Sequence, residues 1–104
     1  MAINVVISFT DRATVVVTTY VYNEKDILVD PSEVRLTLID PNGEKQVDAQ
    51  PMDRDDTGIY VYYYHKGETT EPMLKGQWLG KVDVIDGSGA YAIITPADFS
   101  FMVK

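Results

Sequence analysis

Apolar residues along this chain return at every second position, the period of β-strands, and nowhere hold the three-or-four spacing of a helix. Ile3, Val5, Ile7 and Phe9 share one face of a first strand. Residues 13–22 (ATVVVTTYVY) are dense in β-branched and aromatic side chains, which suit a pleated, half-buried surface, and predict a long second strand. Val34, Leu36 and Leu38 line a third that extends to Asp40. Further strands are expected over residues 46–50, 58–66 (GIYVYYYHK) and 76–86 (GQWLGKVDVID). Two short ones close the chain, 90–95 and 99–103, with Pro96-Ala97-Asp98 read as a break between them.

Turn chemistry falls between these runs. Asn23-Glu24-Lys25-Asp26 is a polar turn and Asp30-Pro31-Ser32 a second break. In Pro41-Asn42-Gly43, proline presets φ and Asn-Gly tolerates positive φ. Asp86-Gly87-Ser88-Gly89 reads as a hairpin turn. Seven to eight strands punctuated in this way predict an all-β chain and a β-sandwich, with residues 1–104 forming one domain.

Composition narrows the chemistry. At 104 residues the chain can bury a core without metal or disulfide staples. It has no cysteine, which excludes a disulfide framework, thiolate zinc sites and a cysteine nucleophile. A net charge of −7 argues against nucleic acid, whose phosphates need Lys and Arg to release counterions. The charge is local: residues 23–57 hold ten acids and four bases, a net of −6. No run approaches the ~20 apolar residues of a spanning helix, so no membrane role is expected. Met1-Ala2-Ile3-Asn4 brings no cationic segment ahead of its apolar run, and no small-residue cleavage site follows. The expectation is synthesis in the cytoplasm without a secretory signal.

The stretch Asp56-Thr57-Gly58-Ile59-Tyr60-Val61-Tyr62 resembles the D-x-[AG]-x-Y-x-C segment of immunoglobulin domains, with Tyr62 in the place of the cysteine. Leu28-Val29-Asp30-Pro31, the run from Val34 to Gly43, and Gly76-Gln77-Trp78 with Val82 are similar to the layout of cysteine-free bacterial and phage immunoglobulin-like modules. The resemblance implies an immunoglobulin-like β-sandwich in which Tyr60 is a corner residue whose hydroxyl bonds back to the backbone just upstream. It also implies that Tyr62 and Trp78 hold the core by packing alone, with Tyr60 and Tyr62 inward and Tyr63 and His65 outward. The function it implies is that of a structural or accessory component of a phage-type particle, in its head or tail, and so association with a virion.

Other constellations have plainer explanations. Asp53, Asp55 and Asp56 are the one calcium candidate, since that ion takes six to eight oxygen ligands. Arg54 lies among them, and the spaced series and terminal Glu of an EF-hand are missing, so a solvated acidic loop is the expectation. Gly87-Ser88-Gly89-Ala90-Tyr91-Ala92 fits G-x-G-x-x-[GA], but a strand run follows where a dinucleotide site needs a helix. His65, the only histidine, has no cysteine to share a zinc ion with. Asp83 and Asp86 bracket a strand end beside a tight turn, where Asp is common, rather than a catalytic cleft.

Neither a catalytic constellation nor a cofactor is expected. The function that remains is a non-catalytic module for protein contact, with a protein partner or a homo-oligomer, using sheet edges, acidic loops and exposed aromatics such as Tyr63. The first strand can pair within the domain or with a neighbouring chain. The alternative is a carbohydrate-binding module with Tyr63, Trp78 or Tyr91 as stacking platforms.

Overall fold

The computed structural model describes residues 2–9, 14–65, 74–87 and 89–104. They form eight strands: β1 (Ala2–Phe9), β2 (Thr14–Tyr22), β3 (Glu33–Ile39), β4 (Lys45–Pro51), β5 (Asp53–Asp56), β6 (Ile59–His65), β7 (Gly76–Asp86) and β8 (Ile93–Val103). One sheet has the order β1-β2-β6-β5 and the other β4-β3-β7-β8. Every neighbouring pair is antiparallel. The chain is therefore all-β, two four-stranded sheets facing each other across an apolar core.

Alternation along each strand builds that core. Val15, Val17, Thr19 and Val21 of β2 are fully buried, and so are Leu36, Leu38, Val82 and Val84 from the facing sheet. Trp78 of β7 sits among them at 1% exposure. Its ring stacks on Phe101 at 5.9 Å and tilts against Tyr64 at the same distance. The indole N–H, a donor that burial would otherwise strand, donates to the Leu74 carbonyl at 2.9 Å. Thr19, the buried polar residue of β2, donates from Oγ1 to Met52 Sδ at 3.6 Å. Gly80 lies opposite Phe99 across the β7–β8 pair, and a Cβ there would overlap the Phe99 ring. Glycine at this position lets the Phe99, Phe101 and Trp78 rings lie in one row.

The two long flanks of the sandwich differ. On one, β4 runs into β5 through Met52 alone, so the chain crosses from one sheet to the other within a single buried residue. The Met52 N–H donates to the Val34 carbonyl at 2.8 Å and fixes the crossing. On the other flank β1 lies over β8, where Phe9 meets Phe101 edge-on at 5.9 Å.

Three sequence expectations need correction. Residues 53–56 are not a loop but β5, hydrogen-bonded to β6 with a bulge between Arg54 and Asp56. The break at Pro96-Ala97-Asp98 is absent: β8 runs through it in unbroken register with β7. β8 is an edge strand, and a proline is tolerated there because one side of the strand has no ladder to feed. Residues 90–95 do not form a separate strand, because Gly89–Tyr91 is a 3-10 turn and pairing starts at Ile93. The expected strand ends at Ala13 and Lys66, and Ser88 of the hairpin turn, lie outside the described residues.

With a single tryptophan at the centre of the core, its emission reports the folded state directly. Leu36→Ala should lower the urea midpoint by the equivalent of about 2–5 kcal/mol with an unchanged m-value, followed by Trp78 fluorescence. A loss below about 1 kcal/mol would mean that Leu36 is not enclosed by the two sheets.

Candidate functional site

Strand pairing decides which side chains leave the core. In β2 the residues alternating with the buried ones are Val16, Thr18, Tyr20 and Tyr22, and they point away from the facing sheet. In β6 the inward set is Tyr60, Tyr62 and Tyr64, which leaves Ile59, Val61 and Tyr63 outward. Val6 of β1 joins this outer face opposite Thr18. The face is thus lined by valines, an isoleucine and tyrosines, with Asn4, Ser8 and Thr18 among them and Asp53 of β5 beside Val61. Tyr63 is 61% exposed, while Val61, although it points away from the core, is only 9% exposed. The outer face of the other sheet has a different chemistry. It carries the ion pairs Arg35–Glu33 at 3.0 Å and Lys81–Asp83 at 3.6 Å, with Leu79, Ile94 and Met102 exposed among them.

One end of the first sheet is fastened by Asp30, which comes from the β2–β3 connection. Its Oδ2 accepts from Arg54 Nε at 3.1 Å, and Arg54 Nη2 also lies 3.1 Å from that oxygen. Its Oδ1 accepts from the Gly58 N–H at 2.8 Å and from the Tyr60 hydroxyl at 3.2 Å. These bonds favour the charged form, so the Asp30 carboxyl is held below its usual value, with Arg54 the largest cause and the Gly58 amide next. Tyr60 is pushed the other way, first by burial and then by the Asp30 charge. The connection can come this close because residue 58 is glycine. Its φ is +70°, and a Cβ would stand 2.8 Å from Leu28 Cβ and 2.9 Å from the Val29 nitrogen. Backbone bonds finish the junction: Val21 N–H donates to Gly58 O at 2.8 Å, and Val29 N–H to Val21 O at 3.0 Å.

Asp40, 3% exposed, organises the β3–β4 turn in the same way. Its Oδ1 accepts the N–H groups of Asn42 and Glu44, each at 2.9 Å, and its Oδ2 accepts Gln46 Nε2 at 2.8 Å. The Glu44 amide is the main reason its carboxyl lies low. Gly43, at φ +85°, supplies the conformation that the Pro-Asn-Gly signal called for.

The residues singled out in the sequence fall as follows. Tyr60 is buried at the start of β6, but its hydroxyl reaches the Asp30 side chain rather than the backbone just upstream. Tyr62 stands directly opposite Val17 in the adjacent strand of its own sheet. Its ring is partly buried against the core. Trp78 belongs to the core and offers no face to a sugar. Tyr63 is outward, while the side chains of His65 and Tyr91 lie outside the described residues.

Asp53, Asp55 and Asp56 are exposed along an edge strand. Among the described residues no three Asp, Glu or His side chains converge to hold a metal ion. Asp56 accepts the Thr57 N–H at 2.7 Å. The Asp30 junction was missed in the sequence because its members lie 24 to 30 positions away from Asp30. The only local signal was the Asp-Pro dipeptide.

Because the Asp30 carboxyl titrates lower in the folded chain than in the unfolded one, its contribution is present above the ordinary carboxylate value of 3.8 and fades as pH falls through the folded value. Asp30→Asn should therefore lower the melting temperature at neutral pH, and the gap to the parent should close in strong acid. Thermal denaturation across that range checks it, and a gap independent of pH would refute the charge-based account. No family model, curated protein or solved structure matches the chain.

Proposed function

We propose that this chain is a non-catalytic structural or accessory module that acts through protein contact, and that the outer face of the β1-β2-β6-β5 sheet is its contact surface. One observation carries the reading: tyrosines and valines line the outer face of that sheet as well as its inner one, with Asn4, Ser8 and Thr18 between them. By contrast, the strands of the partner sheet have no tyrosine and set Leu79, Ile94 and Met102 among ion pairs on their outer face. A solvated sheet needs only one apolar face, and a second one is the mark of a surface that another protein covers. Tyrosine suits such a surface because it brings large, rigid contact area with a polar tip.

The sheet orders support an immunoglobulin-like type for the sandwich. Lettered in chain order as A, B, C, C′, D, E, F and G, the strands β1 to β8 give sheets A-B-E-D and C′-C-F-G, the arrangement of immunoglobulin domains with one added strand. In this lettering β6 is strand E and Trp78 stands on strand F. The likeness therefore rests on the order of all eight strands rather than on the short tyrosine motif. A role in a phage-type particle follows only from the resemblance to such modules. The carboxylates held at low pKa, Asp30 and Asp40, are engaged with turn amides and side chains, in keeping with a structural rather than a catalytic use.

Photo-cross-linking in the native source tests this reading. A benzophenone side chain at position 63 should give a covalent adduct with another protein, and the same group at position 81, on the ion-paired face, should give none. No protein adduct at position 63, together with polysaccharide binding that Tyr63→Ala abolishes, would overturn it in favour of a sugar-stacking surface.

A further inference from the structure

Each sheet has two edge strands: β1 and β5 in one, β4 and β8 in the other. Three carry the devices that keep an edge from pairing with a foreign strand. Every residue of β5 is charged, and a bulge interrupts its register. β4 has Lys45, Asp48 and Pro51 with its own register shifts, and Ala49 at a φ of +48°. β8 has Pro96 and Asp98 near its middle. β1 (AINVVISF) has no charged residue, no proline, no glycine and no bulge, and its register with β2 is continuous from Ala2 to Phe9. Its open side has no strand partner among the described residues.

The pattern of β1 also reads the same in both directions about Val6. Ile3, Val5, Ile7 and Phe9 point inward, and Asn4, Val6 and Ser8 outward. Taking the chain as a protein-contact module, as proposed above, we infer that the partner on this edge is a second copy of the chain, its β1 paired antiparallel with this one about a twofold axis at Val6. That register sets Ile3 opposite Phe9 of the other copy, Val5 opposite Ile7, Asn4 opposite Ser8 and Val6 opposite Val6. Residues directly opposite in an antiparallel pair share a face, so each apolar residue meets an apolar one and Asn meets Ser. Shifting the axis to Val5 would oppose Asn4 to Val6 and leave Phe9 beyond the strand, and shifting it to Ile7 would oppose Val6 to Ser8.

Two further facts favour a second copy over an unrelated strand. A twofold interface must be self-complementary, and a palindromic strand is. The charge distribution agrees. The chain carries −7 overall, and most of it lies in residues 23–57, which include β4 and β5, so two copies repel along that flank. The β1 edge is uncharged and is where like-charged copies can approach. Pairing there also covers Phe9, which is 52% exposed although it points toward the core side of its sheet.

Sedimentation velocity on the full chain should find a dimer. Val6→Lys, at an outward position already 41% exposed, places two like charges across the axis and should give a monomer with unchanged circular dichroism and Trp78 emission. Mixing it with Val6→Glu should restore the dimer. Because the chain has no cysteine, Val6→Cys gives a second readout that does not depend on a charged variant folding. Mild oxidation should link it into a covalent dimer, and Leu79→Cys, exposed on the other sheet, should stay unlinked at equal concentration. A parent that sediments as a monomer, or a dimer that survives Val6→Lys, overturns the pairing. If adducts still form at position 63 in that case, only the twofold fails. A dimer that behaves as described beside a position 63 without adducts removes the outer-face reading and leaves the pairing intact.

Discussion

Two apolar sheet faces must stay together here with no disulfide between them, and the rest of the molecule follows from how that is done. Val17, Leu36, Leu38, Val82 and Val84 are fully excluded from water, so burial supplies the cohesion. The largest side chain, Trp78, is placed where rings from three strands meet, and Gly80 gives up its side chain to make room for Phe99. Close packing of this kind tolerates few loose polar groups. Among the described residues, no buried side-chain nitrogen or oxygen is left without a hydrogen-bond partner.

The strands that bury one face could be read from the chain because burial leaves a period of two. β3 and β7 carry that period plainly, while β2 and β6 were legible instead from their density of β-branched and aromatic residues. β5 could not be read in this way, since Asp-Arg-Asp-Asp buries nothing and becomes a strand only because the backbone of β6 offers it a ladder. The reverse holds for Pro96, whose usual meaning as a break depends on a central position that β8 does not have. The partner of Tyr60 was illegible for a third reason: its hydroxyl reaches Asp30, 30 positions away, a contact that only the folded connection creates. Of the candidate contact face, alternation made legible that Tyr63 stands on the face opposite Tyr60, Tyr62 and Tyr64, and the resemblance implied that this face is the outward one. The apolar character of its surroundings was not, because it depends on β2 and β6 lying side by side.

Charge completes the division of the surface. The acidic stretch of residues 23–57 includes the β2–β3 connection, β3, β4 and β5, and its carboxylates serve two ends. Asp30 and Asp40 hold connections through accepted N–H and O–H bonds. Asp53, Asp55 and Asp56 stay in water and make β5 a poor template for a foreign strand. The same residue type acts as a fastener where amides converge on it and as a repellent where none do.

The crossing at Met52 gives the sandwich the mechanics of a bound book. β4 and β5 form the spine, where one residue of continuous chain joins the two covers. β1 and β8 form the fore-edge, where among the described residues the sheets meet through side chains such as Phe9 and Phe101. A fluctuation that parts the sheets must stretch the backbone at the spine but need only break apolar contacts at the fore-edge, so opening costs least there. A clasp across the fore-edge would therefore do for this chain what a cystine does for other sandwiches.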